Sequence, residues 1–99
     1  MKKDKLDIYK ISMMPIKYTP KGYPIVLPPR GIIILAQSEA QAKKFLKDWM
    51  IGVRHQNYFI EMCEKVNIHS KEAKEFLHPF TIEERLESQM KTIYGKGEH

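Results

Sequence analysis

The residue types most often recruited for metal binding or nucleophilic catalysis are sparse here. His55, Cys63, His69 and His78 follow one another with seven, five and eight residues between them. No CxxC, HxxxH or HExxH arrangement results, so no metal site and no cofactor are expected. Cys63 with His55 or His69 is an equally poor nucleophilic pair, because a cysteine on an apolar stripe behaves as a small buried hydrophobe. Glu61 and Glu64, then Glu83, Glu84 and Glu87, are the acidic groupings. Carboxylates in the first turns of a helix are explained by capping and the macrodipole. A two-metal nuclease would also want aspartates and a positioned lysine, yet Asp4, Asp7 and Asp48 are the only aspartates. Gly22, Gly31 and Gly52 are isolated and form no phosphate-cradling loop.

The pattern that remains is cationic and aromatic. From Ile8 to Ser38 the chain holds Lys10, Lys17, Lys21 and Arg30 and no acid. Residues 1–47 carry +7 and residues 48–99 carry −2 of the +5 net charge. Such asymmetry points to a basic side facing an anionic partner. Tyr18 and Tyr23 interleave with Lys17, Lys21 and Arg30, a mixture that grips a phosphate backbone and stacks bases. Tyrosines beside prolines equally often pack on a sheet. Lys43, Lys44 and Lys47 fall on the polar side of a helix, where lysines also serve solubility alone. The nucleic-acid-binding set is therefore Lys10, Lys17, Lys21, Arg30, Lys43, Lys44 and Lys47 with Tyr18 and Tyr23. Replacing Lys43 and Lys44 by Glu is expected to weaken DNA or RNA binding.

These residues are positioned by one stretch, Gly31 to Trp49. Ile32, Ile33, Ile34 and Leu35 form a continuous apolar run, which suits a strand covered on both faces. Ser38 follows as an N-cap, with Gln41 completing a capping box. Ala42, Phe45, Leu46, Trp49 and Val53 then recur at helical spacing. Gly52 costs a helix about 1 kcal/mol relative to Ala, so a bend is expected there.

Residues 6–18 read as the first strand. Tyr9, Ile11 and Met13 share one face, then Met14, Ile16 and Tyr18 take over, which implies a β-bulge near Met13-Met14. Pro15 argues that this strand is an edge. Residues 19–30 read as a proline-stiffened loop. Over 54–66, Phe59, Met62 and Val66 make one helical stripe and Gln56, Ile60 and Cys63 another, although Tyr58-Phe59-Ile60 also suits a strand. Ser70 caps a short helix to Leu77. Thr81 to Glu84 is a capping box, and Ile82, Leu86, Met90 and Ile93 make the last amphipathic helix, which Gly95 ends.

The expected architecture is α+β: a small antiparallel sheet from about 6–18 and 30–37, followed by three to four helices packed largely on one face. Ninety-nine residues make a single domain, with 1–5 and 95–99 as frayed tails. The longest apolar run, Ile32 to Ala36, is far short of the roughly 20 residues a membrane helix needs. A charged N-terminus without an apolar segment, and a lone cysteine, fit an intracellular protein. A two-stranded sheet with one face uncovered implies a homodimer.

The pattern IYKISMMPIKYTPKGYP followed by PPRGIIILAQSEAQA, in a chain rich in Ile, Lys, Tyr and Met, resembles small proteins of filamentous viruses that infect hyperthermophilic archaea. The resemblance implies a heat-resistant intracellular protein of the host cytoplasm with no assigned activity, and it transfers no site residue. The resulting reading is a non-enzymatic binding or regulatory protein whose basic half contacts nucleic acid. The alternatives are an inhibitor or adaptor binding a host or viral protein, and a small nuclease-like enzyme.

Overall fold

The sheet is organised around its first strand. The structure, a computed structural model, describes residues 5–95. The expected tails therefore fall almost wholly outside the described residues, although Gly95 is buried and its N–H caps α3 by bonding Lys91. The elements are β1 (Asp7–Tyr18), β2 (Pro24–Val26), β3 (Arg30–Ala36), α1 (Glu39–Lys47), a π-helical turn (Asp48–Val53), β4 (Asn57–Val66), α2 (Lys71–Leu77) and α3 (Ile82–Tyr94). All ladders are antiparallel and all involve β1. Ile11 faces Ile32 on one side and Cys63 on the other; Ile16 likewise lies between Val26 and Asn57. Thus β4 lines one edge of β1, and β3 and β2 lie end to end along the other.

The first strand is central, where an edge was expected from Pro15. The physical reason is local. The Pro15 carbonyl accepts from Leu27 N–H at 2.8 Å, so this residue turns its backbone toward the β2–β3 side. There the neighbouring strand is interrupted at Leu27–Pro29, and no ladder bond is lost by the missing N–H. The register shift does fall between Ser12 and Met13, but the extra residue is Glu61 on β4. Tyr18, expected to turn inward, is half exposed.

Of residues 54–66, whose stripes read as helix, Asn57–Val66 form strand β4. Its half-buried residues are Tyr58, Ile60 and Cys63. The bulge at Glu61 spaces the last two three apart and so imitates a helical repeat. The 19–30 segment contains the short β2 within its loop.

Helices pack against both faces, unlike the expected one-sided packing, although α2 reaches only part of the second. Tyr9, Ile11, Met13, Ile34 and Ala36 pack with Ala42, Phe45, Leu46 and Met50 and with Ile93 of α3. Residues of opposite parity, Ile8 and Leu35, pack with Leu6, Val66, Ile68 and with Ala73 and Leu77 of α2. Among the described residues there are three α-helices. α3 passes between the two clusters: Ile82 and Leu86 pack on the second, Met90 and Ile93 on the first. As it crosses β3, Gln89 donates to Leu35 C=O and accepts from Leu35 N–H, both at 2.8 Å. One side-chain amide thereby imitates a neighbouring strand.

Ser38, Ser70 and Thr81 each cap a helix through their hydroxyl. The Thr81–Glu84 box is reciprocal, whereas Gln41 reaches back to Gln37 N–H. The winding changes at Asp48, not at Gly52, and the π turn brings Met50 fully inside while Trp49 stays half-buried.

Candidate nucleic-acid interface

The β1–β2 hairpin carries the cation–aromatic segment to one end of the sheet. Its loop is Pro20-Lys21-Gly22, closed by Gly22 N–H to Thr19 C=O at 2.8 Å and Thr19 N–H to Tyr23 C=O at 2.9 Å. Gly22 has φ +90°, a conformation that glycine reaches without a Cβ penalty. The Thr19 hydroxyl accepts from Tyr23 N–H at 3.0 Å and stiffens the turn. Lys17 lies opposite Ile25, and Tyr18 opposite Pro24. Tyr18 is 50% and Tyr23 66% exposed. The Tyr18 hydroxyl accepts from Asn57 Nδ2 at 3.1 Å, which pins that ring across to the start of β4.

Arg54 joins this end from the other side of the chain. It follows the π turn, where its N–H bonds to Trp49 C=O, and its guanidinium lies 5.2 Å from the centre of the Trp49 ring. Two shallow concavities meet at Arg54. One is lined by Lys17, Tyr18 and His55, the other by Pro15, Pro29 and Arg30. Lys17, Lys21, Arg30 and Arg54 make no ion pair among the described residues. Sequence reasoning missed Arg54 because it was placed inside a continuing helix; an arginine two residues after Gly52 was the available signal.

The other expected binding residues lie elsewhere, and three of the four have partners. Lys10 is on the opposite face, 3.2 Å from Glu72 and 3.8 Å from Glu64, with its ammonium over the Phe76 ring. Lys43 pairs with Glu39 and Lys44 with Asp48, each at 2.8 Å. These contacts raise both lysine pKa values, first through the hydrogen bond and then through the charge. Lys47 is exposed in the last turn of α1. The structure thus brings together Lys17, Tyr18, Lys21, Tyr23 and Arg30, with Arg54 added, and leaves the four remaining lysines apart.

The acidic residues weighed for catalysis are also engaged. Glu61 accepts from the Ser12 hydroxyl at 2.8 Å, Glu84 belongs to the capping box and Glu87 lies 3.7 Å from Lys91. Asp48 accepts from Lys44 and from the Tyr94 hydroxyl, and these hydrogen bonds, Lys44 first, hold its carboxyl below the usual range. Burial, then the Asp48 hydrogen bond, pushes the Tyr94 phenol up. Cys63 is half-buried against the main core, and burial followed by the Glu39 charge raises its thiol pKa. Among the described residues no group of three or more His, Cys, Asp or Glu could hold a metal ion. Comparison with known protein families, with curated proteins and with solved structures finds no match to this chain.

Proposed function

We propose that this is a non-enzymatic binding protein whose hairpin end contacts nucleic acid. One observation carries the reading: among the described residues Lys17, Lys21, Arg30 and Arg54 have no ion-pair partner, and they stand near the exposed rings of Tyr18 and Tyr23. Unpaired cations attract phosphates at no cost in broken ion pairs, and exposed rings offer bases a stacking surface. Single strands suit this end better than duplex, because stacking on tyrosine requires unpaired bases. The setting we propose is intracellular, in a host cytoplasm if the viral resemblance holds. Among the described residues no helix is long and apolar enough to cross a membrane.

The test is fluorescence anisotropy with a labelled 20-nucleotide single strand and its duplex across a salt series. Four phosphate contacts predict a log–log salt slope of about −3 for the single strand, from roughly 0.7 per contact. Lys17→Glu with Lys21→Glu should weaken binding across sequences and flatten the slope by about 1.4. Lys43→Glu with Lys44→Glu, which reach lysines already held by carboxylates, should change it far less. A flat signal for both nucleic acids at low salt removes the proposal and leaves a protein partner as the better reading.

A further inference from the structure

Most of the sheet boundary is protected against pairing. β2 is three residues long, begins with Pro24 and is followed by Pro28 and Pro29. β4 is broken by the Glu61 bulge and exposes Glu61, Glu64 and Lys65. Short strands, prolines, bulges and charges are the usual means by which edges avoid accepting another strand. On β3, Leu35 is covered by Gln89.

The rest of β3 is different. Leu35 faces Ile8 of β1 and turns its N–H and C=O outward; Ile33, facing Lys10, and Gly31, facing Ser12, share its parity. Backbone direction alternates along an antiparallel strand, so Ile33 and Gly31 also turn theirs outward. Neither finds an edge partner among the described residues. Ile33, with Ile32 and Ile34, borders a groove of about 230 Å³ between α1 with its π turn and α3, and Gly31 continues the same edge just beyond it. Phe45 and Trp49 form its apolar wall, and Arg85 and Ser88 stand on the α3 side. Arg85 is its only charged lining residue and makes no ion pair among the described residues.

We infer that this groove is a strand-addition site for an extended peptide bearing an acidic side chain. The peptide backbone pairs with Ile33 and Gly31, an apolar side chain lies against Trp49 and Phe45, and a carboxylate meets Arg85. Main-chain bonds supply affinity in this mode and alternate side chains supply choice. Charge complementarity selects the occupant, since a basic segment would bring a second cation to Arg85. A nucleic-acid strand has phosphates for Arg85 but no regularly spaced amide donors and acceptors for the β3 edge. Gln89 limits the added strand at the Leu35 end to a short segment.

Trp49 is the sole tryptophan, so its fluorescence reports the site directly. The probe is a capped pentapeptide alternating valine with a central glutamate, titrated at low salt. A saturable change is expected. N-methylating the peptide amide nitrogens on its pairing edge should weaken binding at least tenfold, and replacing its glutamate by lysine should do so about fivefold or more. Arg85→Glu, verified as folded by circular dichroism, should reverse that charge preference. Absence of a saturable change up to millimolar peptide overturns the inference. So does equal binding of the N-methylated peptide, or a Trp49 response to single-stranded DNA that the peptide competes away.

Discussion

Replacing Gln89 by Ala removes two hydrogen bonds at once and leaves Leu35 with an unpaired N–H and an unpaired C=O. Both bonds are 2.8 Å long and part-buried, with α3 lying across them. An orphaned buried backbone group costs about 1–3 kcal/mol, and partial water access places each of these near the lower end, so the pair predicts about 2 kcal/mol. For a chain of this length, a loss of that size lowers Tm by roughly 8–16 °C. Urea unfolding should show a reduced midpoint with an unchanged m-value, because the folded contacts elsewhere persist. Gln89→Glu separates the two bonds. Its carboxylate still accepts from Leu35 N–H but cannot donate to Leu35 C=O, so at pH 7 it should be at least as destabilised as the alanine variant. Below about pH 4.3, the ordinary glutamate pKa, protonation restores a donor and the gap to the wild type should narrow. A cost below about 0.5 kcal/mol for Gln89→Ala, with m unchanged, would refute the view that this amide substitutes for a missing strand.

Asp48 has a depressed native pKa, so its contribution is fully present above the unfolded value of about 3.9 and is lost as pH falls through the lower native value. The stability gap between wild type and Asp48→Asn should therefore close in acid, and urea midpoints measured from pH 7 to 2 check this. Cys63 should react slowly with a thiol reagent in the native state and quickly in denaturant, since burial raises its pKa and it packs on the core; fast native labelling contradicts that. The second sheet face stays open around Met14, Phe59 and Met62, with Phe59 and Met62 each 54% exposed. We propose that a second copy covers it, so light scattering at high micromolar concentration should give a dimer that Phe59→Lys converts to monomer; a wild-type monomer removes the idea.

The parts of the fold legible in the sequence are those where one local signal agrees with its tertiary role. Ser38, Ser70 and Thr81 announce helix starts because the capping hydroxyl acts within three residues, whatever packs nearby. The apolar run in β3 is legible because the strand is covered on both faces, Ile34 joining one cluster and Leu35 the other. What failed depended on partners distant in the chain. Pro15 marks an edge only if its N–H would be needed, and that need vanishes because another segment, Leu27–Pro29, breaks off beside it. α2 covers the second face because Ala73 and Leu77 meet Ile8 and Leu35, a contact its own short amphipathic pattern cannot specify.

The candidate site was legible in the same uneven way. Lys17, Tyr18, Lys21 and Tyr23 are neighbours in sequence and remain so on a hairpin. Lys10 could not be sorted from them by sequence, because Glu72, its nearer carboxylate, is 62 residues away, whereas the four-residue spacing of Lys43 from Glu39 and of Lys44 from Asp48 was the signal that could have set those two lysines apart. Arg54 was hidden by the same event that disguised β4. Glu61 is an extra residue in an otherwise two-residue alternation, so Phe59 and Met62 share one face at a separation of three. A period of two interrupted once becomes, over six residues, indistinguishable from a helical repeat. Reading a helix there carried the helix back through Arg54 and removed it from the hairpin end, although the π turn ends at Val53 and leaves Arg54 beside the aromatic ring that holds it.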